Sequence, residues 1–115
     1  MSKFLYITLI FLSFCSICMA QGLGRTPTPV NLTLTSSAVE YEYVVGQGTQ
    51  PLTQIQIKAR TLTDLKFGWS SGDTSDSYIT IEAGSVYFEN DLKYTGSVFI
   101  KGTSDGDVAE LLLWN

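Results

Sequence analysis

The residues with the most chemistry to offer are acidic. Asp105 and Asp107 share one loop, Thr103 to Asp107. Asp73 and Asp76 share another, Ser70 to Ser77, and Glu89 and Asp91 flank Asn90. Clustered carboxylates suit calcium, which takes about six to eight oxygen ligands, so Asp105 and Asp107 are candidate calcium residues. Neither loop has EF-hand spacing, and an Asp-Gly hairpin tip accounts for the same residues as solvated turns. Two carboxylates facing each other across a cleft hydrolyse glycosidic bonds, but nothing in the spacing sets up such a pair. The chain has no histidine, which removes the commonest general base and the commonest metal ligand. Its serines lack a Gly-x-Ser-x-Gly elbow, and its glycines form no phosphate-binding loop. The reading is a protein that is not an enzyme and uses no cofactor.

Aromatic residues are the other chemistry present. Tyr41, Tyr43, Trp69, Tyr78, Tyr87, Tyr94 and Trp114 could include a platform for stacking sugars, with Tyr41, Tyr43 and Tyr94 as candidate ligand-binding residues. The competing account is core and interface packing. Trp114, one residue from the end of the sequence, suits docking on its own sheet or on a neighbouring subunit. Asn31-Leu32-Thr33 matches an N-glycosylation acceptor, a short pattern that also arises by chance and falls here within a predicted strand.

Short alternating runs must position these side chains. Val30 to Thr35, Val39 to Val45, Gln54 to Arg60, Leu65 to Trp69, Tyr78 to Ile81, Val86 to Glu89, Val98 to Lys101 and Val108 to Trp114 each read as a strand, with turn residues between them. Val86 and Phe88 are in phase in their run, as are Val39, Tyr41, Tyr43 and Val45 in theirs. The expected core is Ile55, Ile57, Phe67, Ile79, Ile81, Val98, Ile100, Leu111 and Leu113. About eight strands with no helical periodicity predict an all-β antiparallel sandwich over residues 30–115, wound as a jelly roll or a Greek key.

Residues 1–20 differ in kind. A short basic start is followed by an almost unbroken apolar run from Phe4 to Cys18, then Cys18-Met19-Ala20. This is the layout of a secretory signal peptide cleaved after Ala20, or of a retained membrane anchor at the short end of spanning length. Either reading exports the domain. Residues 21–29 (QGLGRTPTP) form a Gly/Pro linker. Both cysteines, Cys15 and Cys18, lie in the apolar run, so the β-domain is expected to hold by packing without a disulfide. The formal net charge of −4 repels phosphate backbones and argues against nucleic acid as a partner.

From Gln54 the order of features is Ile-x-Ile-Lys-Ala, Phe-Gly with a polar loop, and Ala-Gly before an aromatic strand. Leu-x-x-Thr-Gly, Val-Phe-Ile-Lys-Gly at Val98 to Gly102 and an Asp-Gly turn complete it. Over residues 54–114 this resembles the small β-sandwich modules of bacteriophage virion surface proteins, of the head-fibre, decoration and spike type. The resemblance implies a non-enzymatic, oligomeric part of a particle surface. Its partners would be other copies of itself or other virion proteins, with membrane contact through residues 1–20. A membrane-containing phage would unite that reading with the apolar segment. The alternative class is a secreted carbohydrate-binding or adhesion module.

Overall fold

Alternation of bulky and polar residues builds the sheets in the computed structural model, which describes residues 26–115. The signal or anchor segment and the first part of the linker fall outside the described residues. The strands are β1 (Thr28–Leu34), β2 (Tyr41–Gly46), β3 (Gln54–Ala59), β4 (Leu65–Gly68), β5 (Ile79–Ile81), β6 (Val86–Glu89), β7 (Gly96–Gly102) and β8 (Asp107–Trp114). They form two four-stranded sheets, ordered β1-β8-β3-β6 and β2-β7-β4-β5. Every pairing is antiparallel. The fold is thus the expected all-β sandwich of two antiparallel sheets. Thr28 and Pro29, read as linker, already belong to β1.

β8 organises the first sheet because it pairs along its length with both β1 and β3, Val30↔Leu111 on one side and Ile57↔Leu111 on the other. Its odd-numbered residues Ala109, Leu111 and Leu113 turn inward and are buried. They meet Ile55 and Ile57 from β3 and, from the second sheet, Leu65, Phe67, Val98 and Ile100. Burying each such aliphatic or aromatic side chain contributes roughly 1.5–3 kcal/mol. The expected core is buried at every position but one.

That exception is Ile79, which is 39% exposed. It sits opposite buried Phe67 and so faces inward, but β5 is the edge of its sheet and among the described residues no strand lies beyond it. The phase of β6 is also the reverse of a simple bulky-inward reading. Tyr87, opposite buried Ile57, turns toward the core. Val86 and Phe88, opposite Lys58 and Gln56, turn outward and are each 49% exposed. Val39 precedes β2 and is exposed. The polar loop Ser70–Ser77 contains one helical turn, α1 (Asp73–Asp76).

Candidate functional site

Asp107 begins β8 and is only 2% exposed. Period-two alternation carried back from Leu113 through Leu111 and Ala109 puts it on the inward face. Its Oδ2 accepts the backbone N–H groups of Thr103 and Ser104, both at 3.0 Å. Its Oδ1 accepts the hydroxyls of Thr61 at 3.2 Å and Thr63 at 2.5 Å. Burial alone would raise its pKa. The Thr63 hydroxyl, the Ser104 and Thr103 amides and the Thr61 hydroxyl outweigh burial and hold it below the ordinary value. Two carboxylate oxygens offer about four acceptor positions, and four protein donors fill them. Asp107 is therefore a structural anion and not an open calcium ligand. Asp105 lies exposed at the hairpin tip and accepts the Ser37 N–H at 2.7 Å, which lowers its pKa. The two aspartates thus serve different donors. Among the described residues no group of three or more acidic or cysteine side chains could hold a metal ion.

Glu40 performs a similar task for α1. Gly72, at the N-cap, supplies no side-chain cap. Instead Glu40 Oε1 accepts the Gly72 N–H at 2.9 Å, and Oε2 accepts the Thr74 N–H at 3.3 Å together with the Thr74 hydroxyl. Burial raises the Glu40 pKa, but these donors and Lys101 bring it below its ordinary value. The carboxylate so pins the Ser70–Ser77 segment against β4 and β7, and Thr74 is buried. Glu40→Ala is expected to cost about 1–2 kcal/mol, as loss of an N-cap does. A lowered urea midpoint with faster hydrogen exchange in residues 72–77 would register it.

The three candidate tyrosines do not make a sugar platform together. Tyr41 and Tyr43 pair with buried Ile100 and Val98 and face inward, half-buried against the core. The Tyr41 hydroxyl bonds Thr35 Oγ1 and accepts the Ser36 N–H at 3.2 Å, tying down the β1–β2 turn. Tyr94 lies beyond the other end of β2, where Leu52 N–H donates to its carbonyl. Its hydroxyl donates to Ser97 O at 2.7 Å, with Trp69 O at 3.2 Å. Aromatic rings run across the interior from Tyr87 to Phe67 (5.1 Å), Phe67 to Trp69 (5.1 Å) and Trp69 to Tyr94 (4.9 Å). Tyr78 is half-exposed under the Lys66 ammonium, 4.6 Å from its ring centroid.

The outer face of the β1-β8-β3-β6 sheet is the surface with most to offer. Its registers set Pro29, Leu112, Gln56 and Phe88 in one row across the four strands. Asn31, Glu110, Lys58 and Val86 form the next row, and Trp114 lies opposite Gln54. Lys58 and Arg60 both pair with Glu110, at 3.1 and 3.4 Å. A shallow groove of about 260 Å³ runs between Pro29, Asn31, Gln56, Lys58, Glu110 and Leu112. The other sheet carries α1 on its corresponding face. Sequence reasoning named Asn31, Val86, Phe88 and Trp114 one by one but did not gather them onto one face. The available signal was apolar residues on both parities of β8, with Leu112 and Trp114 out of phase with Leu111 and Leu113.

No protein-family model and no curated protein matches the chain. Among solved structures, a de novo designed double-stranded beta-helix studied by solution NMR is similar at 20% identity and a TM-score of 0.47. The match covers 79% of this chain and all of the designed one.

Proposed function

We propose that this chain is a non-enzymatic structural and assembly module, exported and displayed on a virion or cell surface. The observation that carries the reading is the outer face of the β1-β8-β3-β6 sheet, where Val86 and Phe88 on β6 and Leu112, two strands away across Gln56, point outward with no described element packed over them. Apolar side chains grouped on one surface suit a protein interface. The acids with shifted pKa values, Asp107, Glu40 and Asp105, hold loops together, and Tyr87 belongs to the interior aromatic run, so none is set apart for catalysis. The strand orders 1-8-3-6 and 2-7-4-5 fit a jelly-roll winding, an architecture used in viral capsid and lectin domains. Fold alone does not choose between those uses. Residues 1–20 would export or anchor the domain, with residues 21–29 as the tether.

In the host that makes it, the chain is expected to co-sediment with a large assembly. Leu112→Glu, a change on a half-exposed position, should lower its incorporation at least about tenfold, equivalent to losing about 1.4 kcal/mol of interface energy. Unchanged incorporation of that variant, or a wild-type chain found free and in no assembly, would sink the reading.

A second reading has its own observation. Asn31, Gln54 and Gln56 place amides on the same face as Trp114, and amides beside an aromatic suit sugar hydroxyls and stacking. A glycan array separates the two. Saturable binding lost in Gln56→Ala and Trp114→Ala would favour a carbohydrate-binding module.

A further inference from the structure

The side of the sandwich bounded by β5 and β6 is open in a way the opposite side is not. β5 and β6 are the edge strands of their respective sheets. Four large apolar residues are exposed along them or beside them, Tyr78, Ile79, Val86 and Phe88. Ile79 faces inward and still stays 39% exposed, so among the described residues nothing closes the mouth between the sheets here. A depression lined by Thr80, Ile81, Glu82, Ser85, Val86 and Tyr87 lies between the two strands. Proteins usually protect a sheet edge with proline, lysine, a bulge or a covering loop. β1, the other edge of the same sheet, carries Pro29. β6, Val86-Tyr87-Phe88-Glu89, is short and carries one charge, Glu89, but has neither proline, lysine nor a bulge. Among the described residues its only strand partner is β3, and no backbone hydrogen bond reaches its outer side.

The geometry points to a second copy of this chain as the occupant, with β6 pairing antiparallel to β6 of that copy across a twofold axis. This rests on the assembly reading and names its first partner. Residues opposite each other in an antiparallel ladder point to the same side of the sheet. Val86 and Phe88 point outward and Tyr87 inward, so an axis through Tyr87 keeps the faces matched. It sets Val86 opposite Phe88 of the second copy, Phe88 opposite Val86 of the second copy, and Tyr87 opposite its twin. β-branched and aromatic residues are favourable cross-strand neighbours. Glu89 then falls opposite Ser85 of the second copy and not opposite another acid. A chain of net charge −4 so meets itself along this edge without a like-charge pair. The pairing joins the β1-β8-β3-β6 sheets of the two copies into one of eight strands and extends the outer apolar face through Phe88 and Val86.

Sedimentation velocity of the full chain in mild detergent tests this, with hydrogen exchange as the local probe. The expected result is a dimer whose amides in residues 85–89 gain protection as concentration rises. V86K/F88K alters two exposed positions and should raise the dimer dissociation constant at least about tenfold, with an unchanged thermal midpoint in dilute solution. A monomer at every concentration would overturn the proposal. So would a dimer that survives V86K/F88K or leaves the 85–89 amides unprotected. A chain that is monomeric alone yet still enters its assembly ends this pairing and leaves the assembly reading standing. A monomer found in no assembly ends both.

Discussion

Asp107→Ala is expected to destabilise the domain by about 3 kcal/mol, toward the upper range for a single substitution. The reason lies in what is left behind. The alanine strands two backbone N–H groups, from Thr103 and Ser104, and two hydroxyls, from Thr61 and Thr63. A buried donor without an acceptor costs about 1–3 kcal/mol. The sum is less than four such penalties because Thr103 and Ser104 lie in an exposed hairpin, where water reaches them once the carboxylate is gone. Gly102 makes the site tighter, since a Cβ there would come within 2.9 Å of Asp107 Oδ2. Asp107→Asn should cost less, about 1–2 kcal/mol. Its amide oxygen can take the two N–H groups while the threonine hydroxyls rotate to accept from its NH2. Urea unfolding of the two variants beside the wild type measures both numbers. Equal, near-zero costs would mean that the donor cluster does not hold this hairpin.

The same carboxylate sets a pH dependence. Its folded pKa lies below the ordinary value, so between the folded and unfolded values the unfolded chain binds more protons and stability rises with pH. The contribution is fully present above the unfolded aspartate pKa, about 3.9. It disappears as pH falls through the folded one. Glu40 acts in the same direction. The stability gap between wild type and Asp107→Asn should therefore be constant near neutral pH and shrink once pH drops below about 4. A gap that widened on acidification would reverse the sign of this linkage.

The sequence was legible wherever polarity alternates cleanly. Ile55, Ile57 and Ala59 against Gln56, Lys58 and Arg60 leave one choice of face, and β3 adopts it. β6 offers no such contrast, because Val86, Tyr87 and Phe88 are all apolar. Only the registers with β3 decide that Tyr87 goes in and Phe88 out. α1 escaped because Asp-Thr-Ser-Asp has no apolar period and owes its helical turn to Glu40, more than thirty residues earlier. The role of Asp107 was half visible. Alternation along β8 gives its direction, but its donors come from Thr61, Thr63, Thr103 and Ser104, and no local pattern links those. Tyr41 and Tyr43 share the phase of buried Val45, and that phase points them into the sandwich and away from ligand.

Gly46→Ala is expected to cost about 3 kcal/mol, at the high end for overpacking. A Cβ at this position would lie 2.2 Å from the Tyr94 carbonyl oxygen and 2.8 Å from the Leu52 nitrogen. Both are backbone atoms, so no side chain can swing aside to make room. They are also the two ends of one hydrogen bond, Leu52 N–H to Tyr94 O at 2.8 Å, with the return bond from Tyr94 N–H to Leu52 O at 3.1 Å. The methyl group must therefore push this bridge away from β2, uncovering fully buried Leu52 and loosening the contact between Tyr94 and Trp69. Gly48→Ala is the matched control, because nothing lies within 4 Å of a Cβ there. It should change stability by less than about 0.5 kcal/mol. Near-UV circular dichroism should show altered Trp69 packing in the first variant only. Comparable behaviour of both would mean that the bridge yields freely at this end of the sandwich. The bridge also constrains how sugar binding is tested. Tyr94 holds its neighbours through carbonyl, amide and hydroxyl alike, so a Tyr94 variant that loses ligand has also loosened the fold. Gln56 and Trp114 carry outward side chains on the groove face, so substitutions there separate recognition from folding.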